Sequence, residues 1–295
     1  MSGTPDPLAE FERHRAYLFG IAYRMLGSVA EAEDMVQDCW LRWSAADRIG
    51  VAKPRSFLAR TVTRLCIDHQ KSARVRRETY VGPWLPEPLA DGLGPGIEME
   101  RAETVTMALM LALERLSPLE RAAYLLRDIF DMDFPEIASA LGRSEASCRQ
   151  LASRARRHIR EAKPRFPVAG ADSEKLVDAF IAASQEGDIG TLASLLAQDV
   201  AVHTDGGGKR IAALNVIRGR EKVVRFIAGL HRKLGAWPPG IVWRGTMNGL
   251  PAILSRDADG VLQSDMFAVA DGRIEAIYTI RNPAKLAHIE PYLTG

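Results

Sequence analysis

Seven polar side chains between Arg149 and Arg160 carry the most specific chemistry in the sequence. Arg149, Gln150, Ser153, Arg154, Arg156, Arg157 and Arg160 interleave with an apolar stripe of Cys148, Leu151, Ala155 and Ile159 at three- and four-residue steps. Guanidinium and carboxamide groups on the outer faces of one helix have the donors to reach base edges in a major groove and to neutralise phosphates, so the chemistry is recognition of DNA. An ordinary solvated helix mixes its charges, whereas Glu145 and Glu161 are the only acids in a run of bases that extends to Lys163 and Arg165.

The elements that must position this helix lie just upstream. Asp133 caps a first helix with Pro135 near its start, Ile137, Ala138 and Leu141 form its apolar stripe, and Gly142 supplies the left-handed residue that ends it. Ser144 then caps the basic helix, completing the pattern of a helix-turn-helix. A capping box, Ser117 to Glu120, opens the segment before it.

The chain of 295 residues has room for two or three domains. Its net charge of +2 conceals clusters of bases at 60–77 and 143–165. Cys39, Cys66 and Cys148 lack metal-ligand spacing and sit on apolar stripes, so they read as buried reduced thiols, with no metal and no cofactor expected. No basic leader precedes a hydrophobic run and no stretch of eighteen apolar residues occurs, which predicts a cytoplasmic protein without a membrane partner.

From Leu8 to Arg77 the periodicity is helical. Ser28 and Glu31 give a capping-box signal for AEAEDMVQDCWLRW, whose core stripe is Met35, Val36, Cys39, Trp40 and Trp43. Its other face, with Asp34, Gln37 and Asp38, is acidic and exposed. After a loop at Gly50 and Pro54, Ser56 is read as the cap of SFLARTVTRLCIDHQKSARVRR, where Phe57, Leu58, Val62, Leu65 and Cys66 face inward. Arg60, Arg64 and Lys71 line another side, Asp68 is placed to pair with Arg64, and Arg74, Arg76 and Arg77 extend the basic surface.

An acidic helix, a loop, a basic helix and then a helix-turn-helix, in that order, resemble the extracytoplasmic-function group of bacterial RNA polymerase sigma factors. The resemblance rests on AEDMVQDCWLRW, KPRSFLARTVTRLCIDHQKSARVRRE, LSPLERAAYLLRDIFDMDFPEIASALG and SCRQLASRARRHIR. It implies a sigma-2-like helical domain at 8–77, a linker at 78–103 and a sigma-4-like domain at 104–165. It further implies that Asp34, Gln37 and Asp38 dock on the β′ coiled coil of core RNA polymerase. Arg60, Arg64, Lys71, Arg74 and Arg77 would stabilise the melted −10 element, and Arg149, Gln150, Ser153, Arg154 and Arg157 would read the −35 element.

About 130 residues follow the breaker-rich PRFPVAGADS. Leu176, Val177, Phe180 and Ile181 mark one amphipathic helix, Leu192 to Leu196 a second, and Val223, Phe226, Ile227 and Leu230 a third. Alternation in IVWRGTMNG, VLQSDMFAVAD and RIEAIYTIRN, with a turn at Asp271-Gly272, predicts a curved antiparallel sheet packed on helices. The order resembles a SnoaL-like, NTF2-type α+β cone, here at 172–295. Sigma factors with this extension share three motifs: WLPEP with Trp84, Leu85 and Pro86; DGGGK with Asp205, Gly206, Gly207, Gly208 and Lys209; and NPxKL, here Asn282, Pro283, Lys285 and Leu286, with Ala284 in place of the usual acid. The resemblance assigns them to regulatory contacts within the chain. Three prolines stiffen YVGPWLPEP, so that Trp84 and Leu85 are presented as a docking peptide.

His203, Asp205 and Asp265 sit on strand-rich segments that can line a pocket, but no triad or metal spacing accompanies them, so a transcription factor rather than an enzyme is expected. The expected partners are core RNA polymerase, promoter DNA, the chain's own C-terminal domain in cis and a small ligand in its pocket. The competing reading is a ligand-responsive regulator that binds promoter DNA without polymerase.

Overall fold

Local capping chemistry sets the helix boundaries in the computed structural model, which describes residues 6–46, 51–78, 80–93, 106–161 and 170–293, without the side chains of 72–78. The chain folds as two units: Met1–Glu78 with Ile97–Pro164, and Thr79–Gly96 with Arg165–Gly295.

In the first unit α1 (Pro7–Leu26) starts at Asp6, whose side chain accepts from the Leu8 amide, and stops at the left-handed Gly27. Ser28 caps α2 (Val29–Ala45) through the Glu31 amide. A long α3 (Pro54–Glu78) closes a three-helix packing that buries Leu18, Phe19, Ala22 and Met25 of α1, Met35, Val36 and Cys39 of α2, and Leu58, Val62 and Cys66 of α3. Each Leu, Val, Phe and Met among them contributes roughly 1.5–3 kcal/mol by leaving water. Ser56 is not the cap of α3: proline's fixed φ suits the first helical position, so the helix begins at Pro54, and the Ser56 hydroxyl donates instead to Glu136 at 2.8 Å.

The second half of this unit holds α4 (Met107–Leu113), α5 (Pro118–Tyr124) running into a π-helical turn at Leu125–Ile129, α6 (Phe134–Leu141) and α7 (Glu145–Glu161). Asp133 caps α6 through the Glu136 amide, and Gly142 ends it at φ 61°. Leu151 and Ala152 pack on Ala123 of α5, which fixes the basic face of α7 outward. The two halves are fused: the buried Arg121 donates to the Arg24 carbonyl at the end of α1 at 2.8 Å and pairs with Glu114 at 2.6 Å. Beside it Tyr17 meets Phe130 edge-on at 5.1 Å.

In the second unit α8 (Ala171–Glu186), α9 (Ile189–Leu195) and α10 (Arg220–Leu234) pack on a six-stranded sheet. Its strands are β1 (Leu196–Asp205), β2 (Ile217–Arg218), β3 (Gly240–Met247), β4 (Leu250–Arg256), β5 (Leu262–Ala270) and β6 (Arg273–Ile280), in the order β2-β1-β6-β5-β4-β3. Phe180, Val223, Ile227, Phe267 and Ile277 centre the core, giving the α+β cone. The sheet is mixed rather than antiparallel throughout, because β1 and β6 run parallel. Two-residue turns at Asn248-Gly249 and Asp271-Gly272, all four residues at positive φ, make the hairpins of β3 with β4 and β5 with β6.

The capping box at Ser117 is reciprocal: Ser117 Oγ accepts from the Glu120 amide, and the Glu120 carboxylate accepts from the Ser117 amide and hydroxyl. Ser117→Ala should therefore lower the stability of the helical unit by about 1 kcal/mol, read as a lower urea midpoint at unchanged slope. Ser117→Thr should restore it.

Candidate nucleic-acid interface and linker clasp

Arg149, Gln150, Ser153, Arg154 and Arg157 are all exposed on α7, while Cys148, Leu151, Ala155 and Ile159 are buried beneath them. The helix carries a partial internal order. Arg149 lies over the Phe134 ring at 4.3 Å and pairs with Glu145 at 3.2 Å, and Arg154 reaches Glu120 at 3.2 Å. These exposed pairs are weak and solvent-screened, so the guanidinium groups are held extended without being committed.

On α3, Arg60 and Arg64 do more than face solvent. Arg64 Nε and Nη2 donate to the carbonyls of Ala140 and Ser139, both at 2.8 Å, which makes this arginine a cap for the C-terminal end of α6. Arg60 reaches the Ser139 hydroxyl at 3.4 Å, and Lys53 pairs with Glu136 at 3.2 Å. Arg64 consequently does not pair with Asp68, whose carboxylate takes Lys71 at 2.7 Å, because two carbonyl acceptors at a helix terminus lie in the guanidinium's fork. A cleft of about 500 Å³ between α3 and the α5–α6 edge is lined by Arg64, Ile67, Lys71, Leu119 and Arg143. Arg74 and Arg77 lie outside the residues whose side chains are described.

Asp34, Gln37 and Asp38 are exposed together at i, i+3 and i+4 on α2. Their neighbours are engaged in the fold: Glu33 pairs with Arg15 at 2.5 Å and Glu31 with His69 at 3.2 Å. Burial raises the thiols of Cys39, Cys66 and Cys148 above the ordinary range, Cys39 to about 12, as expected of inert core residues.

Within the second unit the three motifs converge on one buried ion pair. Asp205, at the end of β1, is fully buried, and Lys285 is 6% exposed. Lys285 Nζ donates to Asp205 Oδ2 at 2.7 Å and to the Leu85 carbonyl. The Leu85 amide donates to the same Oδ2 at 2.8 Å, while the Tyr80 hydroxyl donates to Oδ1 at 2.6 Å. The ammonium also sits over the Trp84 ring at 4.1 Å and the Tyr80 ring at 5.0 Å. Asn282 Nδ2 donates to the Tyr80 hydroxyl at 2.8 Å. The backbone of WLPEP is thus gripped by an aspartate on one side and a lysine on the other.

The glycines of DGGGK follow from this crowding. A Cβ on Gly207, at φ 57°, would lie 2.3 Å from Asn282 Nδ2 and 2.7 Å from the Tyr80 hydroxyl; one on Gly206 would lie 2.2 Å from the Arg210 carbonyl. Gly208 and Lys209 point outward, as do Pro283 and Ala284, so the missing acid at Ala284 removes nothing from the clasp. Leu85, Pro86 and Leu286 are buried, and Trp84 is half-buried. Three participants carried no motif. Tyr80 opens the proline-stiffened segment. His288 holds the Pro88 carbonyl at 2.8 Å, and Asn248, in the Asn-Gly turn that is the one sequence cue, exchanges backbone and side-chain hydrogen bonds with Leu89. Beyond them Ala90 bridges Met247 of β3.

His203 and Asp265 do not assemble with Asp205. Asp265 accepts from Thr279 at 2.6 Å and Gln263 at 2.8 Å, while His203 stacks obliquely on Tyr278 at 5.1 Å. Burial pushes the Asp265 carboxyl up to about 6, against the two hydrogen bonds that favour its ionised form. Burial, with the charge of Arg218, lowers His203 to about 4.

Comparison with known proteins follows the same division. Residues 11–76 match the family Sigma-70 region 2, and residues 106–159 the family Sigma-70, region 4. The chain is 40% identical over 290 residues to the ECF RNA polymerase sigma factor SigJ of Mycobacterium tuberculosis, covering 94% of this chain and 92% of that one. It is 33% identical over 297 residues to the probable ECF RNA polymerase sigma factor SigI of the same organism, covering 98% of each. The crystal structure of M. tuberculosis extracytoplasmic function sigma factor SigJ matches with a TM-score of 0.79 at 37% identity, over 95% of this chain and 98% of that one.

Two outcomes are expected of the second unit. Lys285→Met leaves a buried carboxylate without its cation and should cost about 3–5 kcal/mol, with protease cleavage appearing between Tyr80 and Leu93; the double variant Asp205→Asn/Lys285→Met should recover most of the loss. The pH profile gives the second. Folded Asp265 keeps its proton to about pH 6, whereas an unfolded aspartate releases it near 3.8, so its stabilising contribution is complete at low pH and lost as pH rises through that window. His203 slopes the other way, losing stability as pH falls from 6.5 towards 4. Asp265→Asn should remove the loss of stability that Asp265 causes as pH rises from 4 to 6, and stabilise the protein at pH 7 by up to about 3 kcal/mol in chemical denaturation.

Proposed function

The chain belongs to the extracytoplasmic-function RNA polymerase sigma factors, and from that premise we propose that its SnoaL-like C-terminal unit sets promoter activity in cis by holding the segment that connects region 2 to region 4. It is a transcription initiation factor, with core RNA polymerase and promoter DNA as its partners. In the proposed division of labour Asp34, Gln37 and Asp38 dock on the β′ coiled coil. Arg60, Arg64, Lys71, Arg74 and Arg77 take the −10 strand, and Arg149, Gln150, Ser153, Arg154 and Arg157 read the −35 element. The domains correspond to 8–77, 104–165 and 172–295, with 78–103 between the first two. Catalysis belongs to the polymerase.

The observation that carries the reading is the Lys285–Asp205 clasp on the linker. A connector that is folded into another domain cannot vary its end-to-end distance freely, so the C-terminal unit limits how regions 2 and 4 are arranged. Region 2 and region 4 pack together in this structure, with Arg60 and Arg64 spent on the end of α6. To take the phosphates of an opened strand, Arg64 must give up its helix carbonyls and Arg60 the Ser139 hydroxyl. Single-strand contacts that duplex lacks offset the few kcal/mol that extruding a base costs. The cone is read as regulatory rather than enzymatic because both oxygens of Asp265 are spent on its neighbours. A small ligand inside the cone would act by shifting the clasp.

One comparison tests the scheme. Affinity for purified core polymerase should fall about 100-fold or more on reversing Asp34 and Asp38 to lysine, whereas the clasp variant Lys285→Met should keep core affinity and change transcript yield at least severalfold, with Asp205→Asn/Lys285→Met returning towards wild type. Unchanged transcription from the clasp variant refutes regulation through the linker. Specific promoter binding by the full chain alone, undiminished by the acidic reversal, favours a polymerase-independent regulator instead.

A further inference from the structure

Helix α10 is amphipathic with an unusual outer face. Val223, Val224 and Ile227 are buried, and on the opposite side Lys222, Arg225, Arg232 and Lys233 are exposed at spacings of three, seven and one. At 1.5 Å per residue the stripe is about 16 Å long. Glu221 is the one acid in the helix and, though it stands four residues before Arg225, the two form no ion pair in the structure.

None of these four cations has a carboxylate partner among the described residues, in contrast to several arginines of the same unit. There Arg210 pairs with Asp259, Arg244 with Asp178, Arg256 with Glu290 and Arg281 with Asp257, at 2.5–3.2 Å. A merely soluble surface would be laced in the same way. Arg232 and Lys233 gain from the helix dipole at the C-terminal turn, but Lys222 stands in the first turn, where the dipole opposes it. Arg218, exposed on β2 just before the helix, adds charge close enough to help hold His203 neutral.

Gly229 is a second and independent sign. It lies mid-helix between Arg225 and Arg232, where glycine is unfavourable, and a Cβ there would meet nothing within 4 Å. Packing does not require it. Its effect is to leave the helix surface bare in the middle of the cationic stripe, so that an extended polyanion can approach the backbone closely.

We propose that the outer face of α10 is a further DNA-binding surface, seated on the phosphate backbone of promoter duplex and carrying no sequence information. Its composition suits phosphates: long flexible cations on one exposed stripe neutralise charge, and no carboxamide stands among them to read a base edge. The surface adds sequence-independent affinity to the contacts of α3 and α7 and extends the footprint of the protein on DNA. The inference rests on the chain's being a promoter-binding factor, which binding by the wild-type holoenzyme tests separately.

The test uses full-length protein assembled with core polymerase. Promoter affinity is measured against salt for wild type, for Lys222→Gln/Arg225→Gln/Arg232→Gln/Lys233→Gln, and for the charge-preserving set Lys222→Arg/Arg225→Lys/Arg232→Lys/Lys233→Arg. The neutralised protein should show a slope of log affinity against log salt shallower by about 2 to 4, about 0.9 for each phosphate that no longer meets a cation, with −10 and −35 preferences unchanged. The charge-preserving protein should keep the wild-type slope. A wild-type slope in the neutralised protein overturns the proposal. So does a drop in core-polymerase affinity at unchanged salt slope, which would assign the stripe to an acidic protein surface.

Discussion

The Lys285–Asp205 pair is the interaction on which the second unit's hold on its N-terminal segment depends. Both charges are out of water, and isolated burial of either would be prohibitive; together, with Tyr80, the Leu85 backbone and two aromatic faces, their polar valences are met. The pair reads the main chain rather than a side chain, since the amide and the carbonyl of Leu85 are both taken. That fixes the register of the peptide. The requirement for Gly206 and Gly207, the placement of Tyr80 and the value of the surrounding prolines all derive from it. An apolar patch of the same volume would bind the segment with comparable strength and would tolerate sliding by a residue.

A different logic joins the helical halves. The interface around Arg121, Tyr17 and Phe130 is buried and specific, but its outer margin is made of groups that have a second use. Arg64 satisfies two orphan carbonyls at the end of α6 and is a candidate ligand for DNA. The two uses exclude one another. Opening the unit therefore frees cations for nucleic acid while leaving carbonyls to water, a trade whose balance depends on whether a strand is present.

Much of this was legible in the residues. Asp133, Gly142 and Ser144 announced the helix-turn-helix because caps are chosen by backbone need, and the stripe Cys148 to Ile159 oriented α7 because burial periodicity is local. Ser56 misled, since a hydroxyl two residues into a helix is chemically indistinguishable from a cap until proline's fixed φ is weighed. β4 escaped because LPAILSR is almost wholly buried and so shows no alternation, and the parallel pairing of β1 with β6 joins residues at least 75 positions apart that no local pattern encodes. The clasp was legible as three motifs, but its charge pairing was not: Asp205 and Lys285 lie eighty residues apart, and only the fold makes them neighbours.

The bridge from Ala90 to Met247 has a consequence for the lifetime of any released state. β3 is the last strand of its sheet, and along this stretch the connector occupies hydrogen-bonding groups that would otherwise face solvent. An uncovered strand margin with Trp243 and Met247 beside it is a template for another chain. Letting go of the connector would bare this margin to self-association, so any state without the clasp would have to be short-lived or covered by a partner.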